Sequence, residues 1–111
     1  MGLYDEITVH VDLPNLPMWA EGVTWQTKSL GSLGRSFIIT KNYKLFLKKD
    51  KYRFNKESGY ELTNGKVWLE FDWGGILFFH YLHNDVLIEY AAVVKHGEVR
   101  HISQTYLGGQ K

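Results

Sequence analysis

The chain has 111 residues, 44% of them hydrophobic and 23% charged, with a formal net charge of +1. This length and balance indicate one globular domain with one hydrophobic core. The chain has no Cys, which excludes disulfides, thiolate catalysis and thiolate metal sites. Four Trp, seven Tyr and six Phe raise the aromatic share to 15%, and this composition favours strands over helices.

The sequence predicts a soluble protein of the cytoplasm. The absence of Cys fits a reducing compartment. Residues 1–13 carry three acids and no basic residue, which is the wrong charge for a secretory signal. The apolar runs, such as Ile76–Phe79, are too short to span a bilayer, so no membrane association is expected.

The first half of the chain predicts several short strands. Residues 7–13, ITVHVDL, alternate apolar and polar side chains, as in a half-buried strand. Pro14 and Pro17 end this strand and open a loop. The next predicted elements are a short edge strand over 23–30, a break at 31–34, strands over 36–40 and 43–49, and a polar loop or exposed ribbon over 50–59.

The second half has clearer turn signals. Asn64–Gly65 is the strongest hairpin signal in the chain and predicts a tight turn. Residues 76–82, ILFFHYL, are apolar on both faces and predict a central strand. The other predicted elements are strands over 66–73, 86–94 and 98–106, turns at 74–75, 83–85 and 96–97, and a disordered tail at about 107–111.

These elements predict an all-β fold in a single domain over residues 1–111. No window of helical length shows a sustained apolar period of 3.6 residues. We expect seven to eight mostly antiparallel strands in a sandwich or a flattened barrel. Because their connections are short, the last four strands are expected to form a C-terminal meander.

Histidines are the weak candidates for a metal site. His80 and His83 lie close in the sequence, with Asp85 beside them. A metal site needs three or four ligands that converge at about 2.0–2.2 Å. Since positions 80 and 83 of a strand face opposite ways, they converge only if residue 83 already belongs to the turn. The alternative is a turn histidine and a half-buried strand histidine, and no metal or other cofactor is expected.

Carboxylates raise the question of a hydrolase. Glu70 and Asp72 share one face of a predicted strand, and Glu89 lies on a predicted neighbour. Paired acids about 5–9 Å apart in a cleft would indicate hydrolysis, but the solvated face of a sheet explains the same pattern. No nucleophile elbow, phosphate loop or dinucleotide fingerprint occurs. The sequence therefore predicts no catalytic residue and a protein that is not an enzyme.

Positive charge is concentrated in one segment. Residues 28–56 hold nine bases against one acid, whereas residues 1–24 hold four acids and no Lys or Arg. Within 41–56 the cations alternate with aromatic rings, as in surfaces that bind single-stranded nucleic acid or nucleotides. Protection of an edge strand, or contact with an acidic protein, explains the pattern too. The candidate binding residues of this segment are Lys44, Lys48, Lys49, Lys51, Tyr52 and Arg53.

Trp68 is a candidate for partner binding. It lies on the face of its predicted strand opposite the apolar stripe, next to Glu70 and Asp72. An exposed Trp is typical of an interface hot spot, and a second buried face of the strand is the alternative interpretation.

Three stretches of the chain resemble a known family. The chain starts MGLYDEI, carries WQTKSL at 25–30 after a Pro-containing loop, and later reads IEYAAVVKHGEV. It thereby resembles small uncharacterised all-β proteins of tailed bacteriophages and prophages, with a Met-Gly-x-aromatic-Asp start and an aromatic-Gln-Thr-Lys-x-Leu motif. Residues 41–60 carry no family motif, and GSLG replaces an Asp-Cys or similar pair, so no role of that pair carries over. The resemblance implies a phage origin and action in the bacterial host cytoplasm, and it implies no activity.

The WQTK motif itself permits two interpretations. On a strand, Gln26 and Lys28 share one face and Trp25 and Thr27 share the other. The motif could bind the phosphate or amide edge of a ligand, which makes Trp25, Gln26 and Lys28 candidate binding residues. It could also hold the N-terminal strand against the sheet, with the Gln amide satisfying backbone groups.

These observations predict a non-enzymatic phage protein that binds a host component. Its most concrete form is an inhibitor of a host defence system that blocks a protein or captures a nucleotide signal. The alternatives are a nucleic-acid-binding module that uses the basic 41–56 hairpin and, last, a small metal-dependent hydrolase. A homodimer or higher homo-oligomer is expected, because a small β domain with edge strands gains burial by pairing.

Overall fold

The computed structural model describes residues 4–55 and 59–109, with the backbone alone for 49–55 and 59–67. This part of the chain forms eight strands and a short 3-10 turn, Met18–Ala20. The strands are β1 (Asp5–Val9), β2 (Trp25–Thr27), β3 (Ser36–Ile39), β4 (Leu45–Asn55), β5 (Gly59–Glu70), β6 (Gly75–His83), β7 (Val86–Lys95) and β8 (Glu98–Gly109). No helix within the described ranges is long and apolar enough to cross a bilayer.

The eight strands form one sheet in the order β5-β4-β3-β1-β2-β6-β7-β8. The pair β1–β3 is parallel and the other neighbours are antiparallel. The predicted all-β class and the number of strands are confirmed. The arrangement is simpler than the predicted sandwich or flattened barrel, since the strands form a single mixed sheet that curls without closing into a barrel.

The curl brings the beginnings of β4 and β8 together. Lys44 and Glu98 form an isolated antiparallel bridge. The backbone N–H of Val99 donates to the Tyr43 carbonyl at 2.7 Å. We call the buried face of the sheet the inner face and the opposite one the outer face.

The core lies on the inner face. Leu77 and Phe79 of β6 and Ile88 and Tyr90 of β7 are fully buried, because alternate residues of a strand share a face. The ring of Trp25 meets Phe79 and Tyr90 edge-to-face, at centroid distances of 5.3 and 5.5 Å. The aromatic residues of the sequence therefore build much of the core.

The meander contains the last three strands, not the predicted four. β7 lies between β6 and β8, whereas β5 pairs with β4 at the far edge. The connection from β5 to β6 crosses the opening of the curl: the Phe71 N–H donates to Leu45 at 3.0 Å, and the Gly97 N–H donates to Trp73 at 2.9 Å. The connection therefore forms hydrogen bonds to β4 and to the β7–β8 turn, and β5 and β6 do not pair as a hairpin. The short connection between β5 and β6 does not make these two strands neighbours in the sheet.

The predicted hairpin turn at Asn64–Gly65 is wrong, because β5 runs through this dipeptide. Asp50 pairs with Lys66 and Tyr52 pairs with Leu62, so three residues of β5 lie opposite one residue of β4. Asn-Gly provides the backbone freedom needed for a bulge as well as for a turn. Asn55 of β4 instead pairs with Gly59, the first residue of β5.

Further boundaries differ from the prediction. β1 ends at Val9, well before Pro14, whereas the predicted strand covers 7–13. β2 is an interior strand and not an edge strand, since Gln26 pairs with Glu6 on one side and His80 on the other. β8 continues to Gly109, so residues 107–109 belong to the strand and not to a tail.

β4 and β5 extend beyond the rest of the sheet as a two-stranded ribbon. β3 pairs with β4 only from Leu45 to Leu47, whereas β5 follows β4 to Asn55. Eight residues of a strand span about 26 Å, which fits the elongated dimensions of 56 × 30 × 23 Å. The interpretation of this basic segment as an exposed ribbon therefore agrees with its backbone.

Candidate binding site on the outer face

Thr27 and Ser29 fix the backbone of Phe78. The pairing of β2 with β6 ends at Thr27 and Phe79, and side chains continue it. The Thr27 hydroxyl donates to the Phe78 carbonyl at 2.5 Å, and the Phe78 N–H donates to Ser29 Oγ at 3.0 Å. Both backbone groups of Phe78 are thus satisfied, although its ring lies on the outer face.

Apolar side chains are exposed around this ring. Phe78 is 44% exposed, and the register partners Ile76 and Val93 are exposed beside it. Contiguous apolar surface of this kind is typical of an interaction site. We define the outer-face patch as Tyr4, Lys28, Ile76, Phe78, His80, Glu89 and Val93.

A shallow cavity of about 500 Å³ lies within the patch. Its lining residues are Tyr4, Lys28, Ser29, Phe78, His80 and Glu89. The Lys28 Nζ lies 4.8 Å from the centroid of the Tyr4 ring, and the Tyr4 and His80 rings meet edge-to-face at 5.9 Å. The cavity therefore combines a cation, a carboxylate and three rings.

The charges of the patch are well defined at neutral pH. Burial lowers the pKa of His80 below its ordinary value of 6.5, an effect that Glu89 opposes and Lys28 reinforces. His80 is therefore neutral at pH 7. The Glu89 carboxylate accepts a hydrogen bond from the Thr105 hydroxyl at 2.8 Å. One positive and one negative side chain thus flank the apolar rings.

The WQTK motif divides between the core and the patch. Trp25 is 2% exposed and Thr27 is fully buried, whereas Gln26 and Lys28 are exposed. This is the alternation that the sequence predicts. Trp25, a candidate binding residue, is a core residue that a ligand on the surface does not reach. Gln26 and Lys28 remain accessible, and Lys28 belongs to the patch.

The basic segment does not join the outer-face patch, because β3, β1 and β2 separate β4 from β6. Lys44 and Lys48 are exposed. The Lys48 Nζ lies 5.9 Å from the ring centroid of Trp68, its register partner, and Trp68 is 45% exposed. Trp68 is therefore a surface residue. The side chains of Lys49, Lys51, Tyr52 and Arg53 lie outside the described residues.

The metal candidates do not converge. The His83 ring stacks on Trp19 at 5.4 Å, whereas His80 faces the outer-face patch. Asp85 lies in the turn between β6 and β7. In the part of the chain that the structure describes, no group of three or more His, Asp or Glu side chains could hold a metal ion.

Glu89 lies apart from the other two candidate carboxylates. Glu70 and Asp72 border a cavity of about 380 Å³ beside the β7–β8 turn, where Asp72 Oδ1 lies 3.4 Å from His96 Nδ1. Glu89 lies in the outer-face patch on β7. The arrangement brings Glu89 together with Lys28, not with the other acids.

Sequence reasoning missed Tyr4, Ile76, Phe78 and Val93 as surface residues. The signal was present in ILFFHYL, whose two apolar faces predicted a central strand, and β6 does lie inside the sheet between β2 and β7. The fold has a single sheet, so no second sheet of the described chain covers the outer face of β6.

No family model, no curated protein and no solved structure matches this chain. What the chain binds is therefore inferred from its own geometry. The outer-face patch is the feature from which a function follows most directly.

Proposed function

We propose that this chain is a non-enzymatic binding domain that docks on a partner protein through the outer-face patch. The observation that carries the proposal is the exposure of Phe78 on a backbone whose N–H and C=O are both fixed by side chains. A backbone fixed in this way loses little conformational freedom on binding. Aromatic side chains surrounded by apolar neighbours are typical hot spots of protein interfaces.

The shape of the patch favours a protein over a small ligand. Sites for small molecules bury most of the ligand surface, but Phe78 and Tyr4 are both exposed beside the shallow cavity. An apolar centre with Lys28 and Glu89 at its rim has the composition of a protein interface. Capture of a nucleotide, with Lys28 on a phosphate and Tyr4 stacked on a base, is the less favoured form of the proposal.

The biological setting of the proposal comes from the sequence. The Met-Gly-x-aromatic-Asp start and the WQTKSL motif resemble phage proteins, so the proposed partner is a component of the bacterial host. Blocking a host defence protein in the cytoplasm is the most concrete version, and it requires a binding surface without catalytic groups.

Affinity capture from bacterial cells tests the proposal with three forms of the chain: wild type, Phe78→Asp and Met18→Asp. Met18 is 87% exposed in the 3-10 turn, where its neighbour Trp19 stacks on His83. It is therefore a matched control for a charge placed on exposed apolar surface. We expect one partner to be captured by wild type and Met18→Asp and lost with Phe78→Asp. Equal capture by all three forms, or no partner at all, contradicts the proposal.

A nucleic-acid-binding function is the second candidate. It is favoured by the pairing of Lys48 with the exposed Trp68 on the ribbon, since a cation beside an exposed ring suits a phosphate and a stacked base. We expect such binding to single-stranded DNA to weaken steeply with salt and to be reduced by Trp68→Ala. Affinity that changes with neither salt nor Trp68→Ala excludes this function.

A further inference from the structure

β8 is an edge strand, and its hydrogen-bonding edge away from β7 is largely unpaired. β7 pairs with it from Glu98 to Gly109. On the other side, among the described residues, the backbone contacts are those at its start, the bridge to Lys44 and the hydrogen bond from the Val99 N–H. The Gln104 side chain also donates to the Asn15 carbonyl at 3.2 Å. About half of the backbone N–H and C=O groups in 100–109 therefore point away from β7 without a strand to receive them.

This edge lacks the charged protection that is usual for monomeric sheets. Residues 101–109 contain no Lys, no Pro and no Asp or Glu, which are the residues that normally prevent edge-to-edge pairing. The only charged groups of β8 are Glu98 and Arg100, which bind each other at 3.1 Å. Two copies of β8 can therefore approach without net repulsion.

Apolar side chains are exposed on both faces of this strand. Tyr106 is 45% exposed and pairs with Glu89 on the outer face, whereas Leu107 is 47% exposed and pairs with the buried Ile88 on the inner face. A partner docked on one face would cover only one of them. A strand added beside β8 covers both, because its side chains project to both faces.

We infer that two copies of the chain pair antiparallel along β8 and form a two-fold dimer with one continuous sheet. An axis between Gln104 and Thr105 places Ile102 opposite Leu107 of the second copy. Both residues are on the inner face, since Ile102 pairs with the buried Ala92. The dimer thereby extends the hydrophobic core across the interface.

The same register matches the outer face. It places Ser103 opposite Tyr106 of the second copy, and His101 opposite Gly108. Ser103 and His101 pair with Ala91 and Val93 on the outer face of β7. Residues opposite each other in an antiparallel pair must share a face, and these three pairs do so because the bulge at Thr105 shifts the alternation of side chains between Gln104 and Tyr106. A two-fold dimer is also the commonest assembly of identical chains.

Disulfide trapping tests the register. The chain has no Cys, so the double variant Ser103→Cys/Tyr106→Cys introduces the only thiols. Within one copy these positions are about 10 Å apart along the strand, too far for a disulfide, whereas opposite positions in a strand pair are within reach. The matched control His101→Cys/Tyr106→Cys uses the same strand and face but is out of register.

Sedimentation of the wild type, at increasing concentration, is measured beside the trapping. We expect a dimer, near-complete covalent dimer for Ser103→Cys/Tyr106→Cys and at least a fivefold lower yield for the control. A monomeric wild type, or equal trapping of both variants, overturns the inference. Phe78→Asp is expected to remain dimeric, and its dissociation would show that the outer-face patch and not β8 joins the copies. Partner capture can fail while dimerisation is observed, and the reverse can also occur, so the two proposals are distinguishable.

Discussion

The fully buried carboxylate of Asp5 accepts a 2.8 Å hydrogen bond from the backbone N–H of Arg35. It also accepts the N–H groups of Ser32 at 3.0 Å and Leu33 at 3.1 Å. One side chain of β1 therefore satisfies three backbone donors in the loop that leads to its parallel neighbour β3. Asp5, part of the Met-Gly-x-aromatic-Asp start, has a structural role.

Replacement of Asp5 by Ala should destabilise the fold strongly. It leaves three backbone N–H groups without their acceptor, and hydrogen bonds to charged groups contribute about 1.5–3 kcal/mol each. We expect the free energy of unfolding to fall by about 3 kcal/mol or more in urea titrations. Asp12→Ala, at an exposed position, is the control and should change it by less than about 0.5 kcal/mol. Similar values for both variants would contradict the anchoring role.

Substitution of Gly97 and of Gly22 by Ala distinguishes the stability cost of a steric contact from that of backbone strain. Their φ angles are +73° and +71°, but a Cβ on Gly97 would lie 2.6 Å from the Phe71 carbonyl oxygen, whereas none lies within 4 Å at Gly22. Gly22→Ala should cost about 1–2 kcal/mol, the usual penalty of this conformation. Gly97→Ala should cost more, because the contact displaces the segment that closes the curl between β4 and β8. Thermal unfolding of both variants measures the difference, and equal midpoints would exclude the contact.

Substitutions at the buried and the exposed positions of the WQTK motif should have different effects on stability and binding. Trp25→Ala removes a core ring and is expected to cost about 3–5 kcal/mol. Lys28→Ala, at the surface, should change the free energy of unfolding by less than about 0.5 kcal/mol and weaken binding of the captured partner. Unfolding and binding measured on the same preparations test the expectations for both variants. A destabilising Lys28→Ala that leaves binding unchanged would show that the whole motif is structural.

His80 should make stability depend on pH. Its pKa is lowered in the folded chain by burial, so the unfolded chain binds more protons as the pH falls through about 6.5. The free energy of unfolding must therefore decrease with acidification in this window. His80→Gln removes this contribution, so its loss of stability between pH 7 and 5.5 should be smaller than that of wild type. Parallel pH profiles for the two chains would contradict the assigned pKa.

The fold class could be predicted from local patterns, and the topology could not. Alternation in ITVHVDL and the turns around β7 depend on neighbouring residues, and they indicated strands, although β1 ends at Val9 and leaves residues 10–13 outside it. The position of β5 depends on backbone bonds of Phe71 and Trp73 to distant residues, and Asn64–Gly65 supports a bulge or a turn equally well. These choices are made by tertiary contacts that a local pattern does not contain.

The candidate site was predicted only in part, for a related reason. Lys28 was found because its strand neighbours fix its face. Phe78 was missed because the apolar faces of β6 give no indication of whether a second layer covers them. Trp25 was assigned to binding on residue type, and its burial among Phe79 and Tyr90 is a tertiary contact.

The affinity of the captured partner for the purified chain tests the central claim most directly. Dissociation constants are compared for wild type, Phe78→Asp and the control Met18→Asp. Loss of a hot-spot residue costs about 2 kcal/mol or more, so Phe78→Asp should bind at least about 30-fold more weakly while Met18→Asp binds like wild type. Equal affinity of all three forms would contradict binding through the outer-face patch.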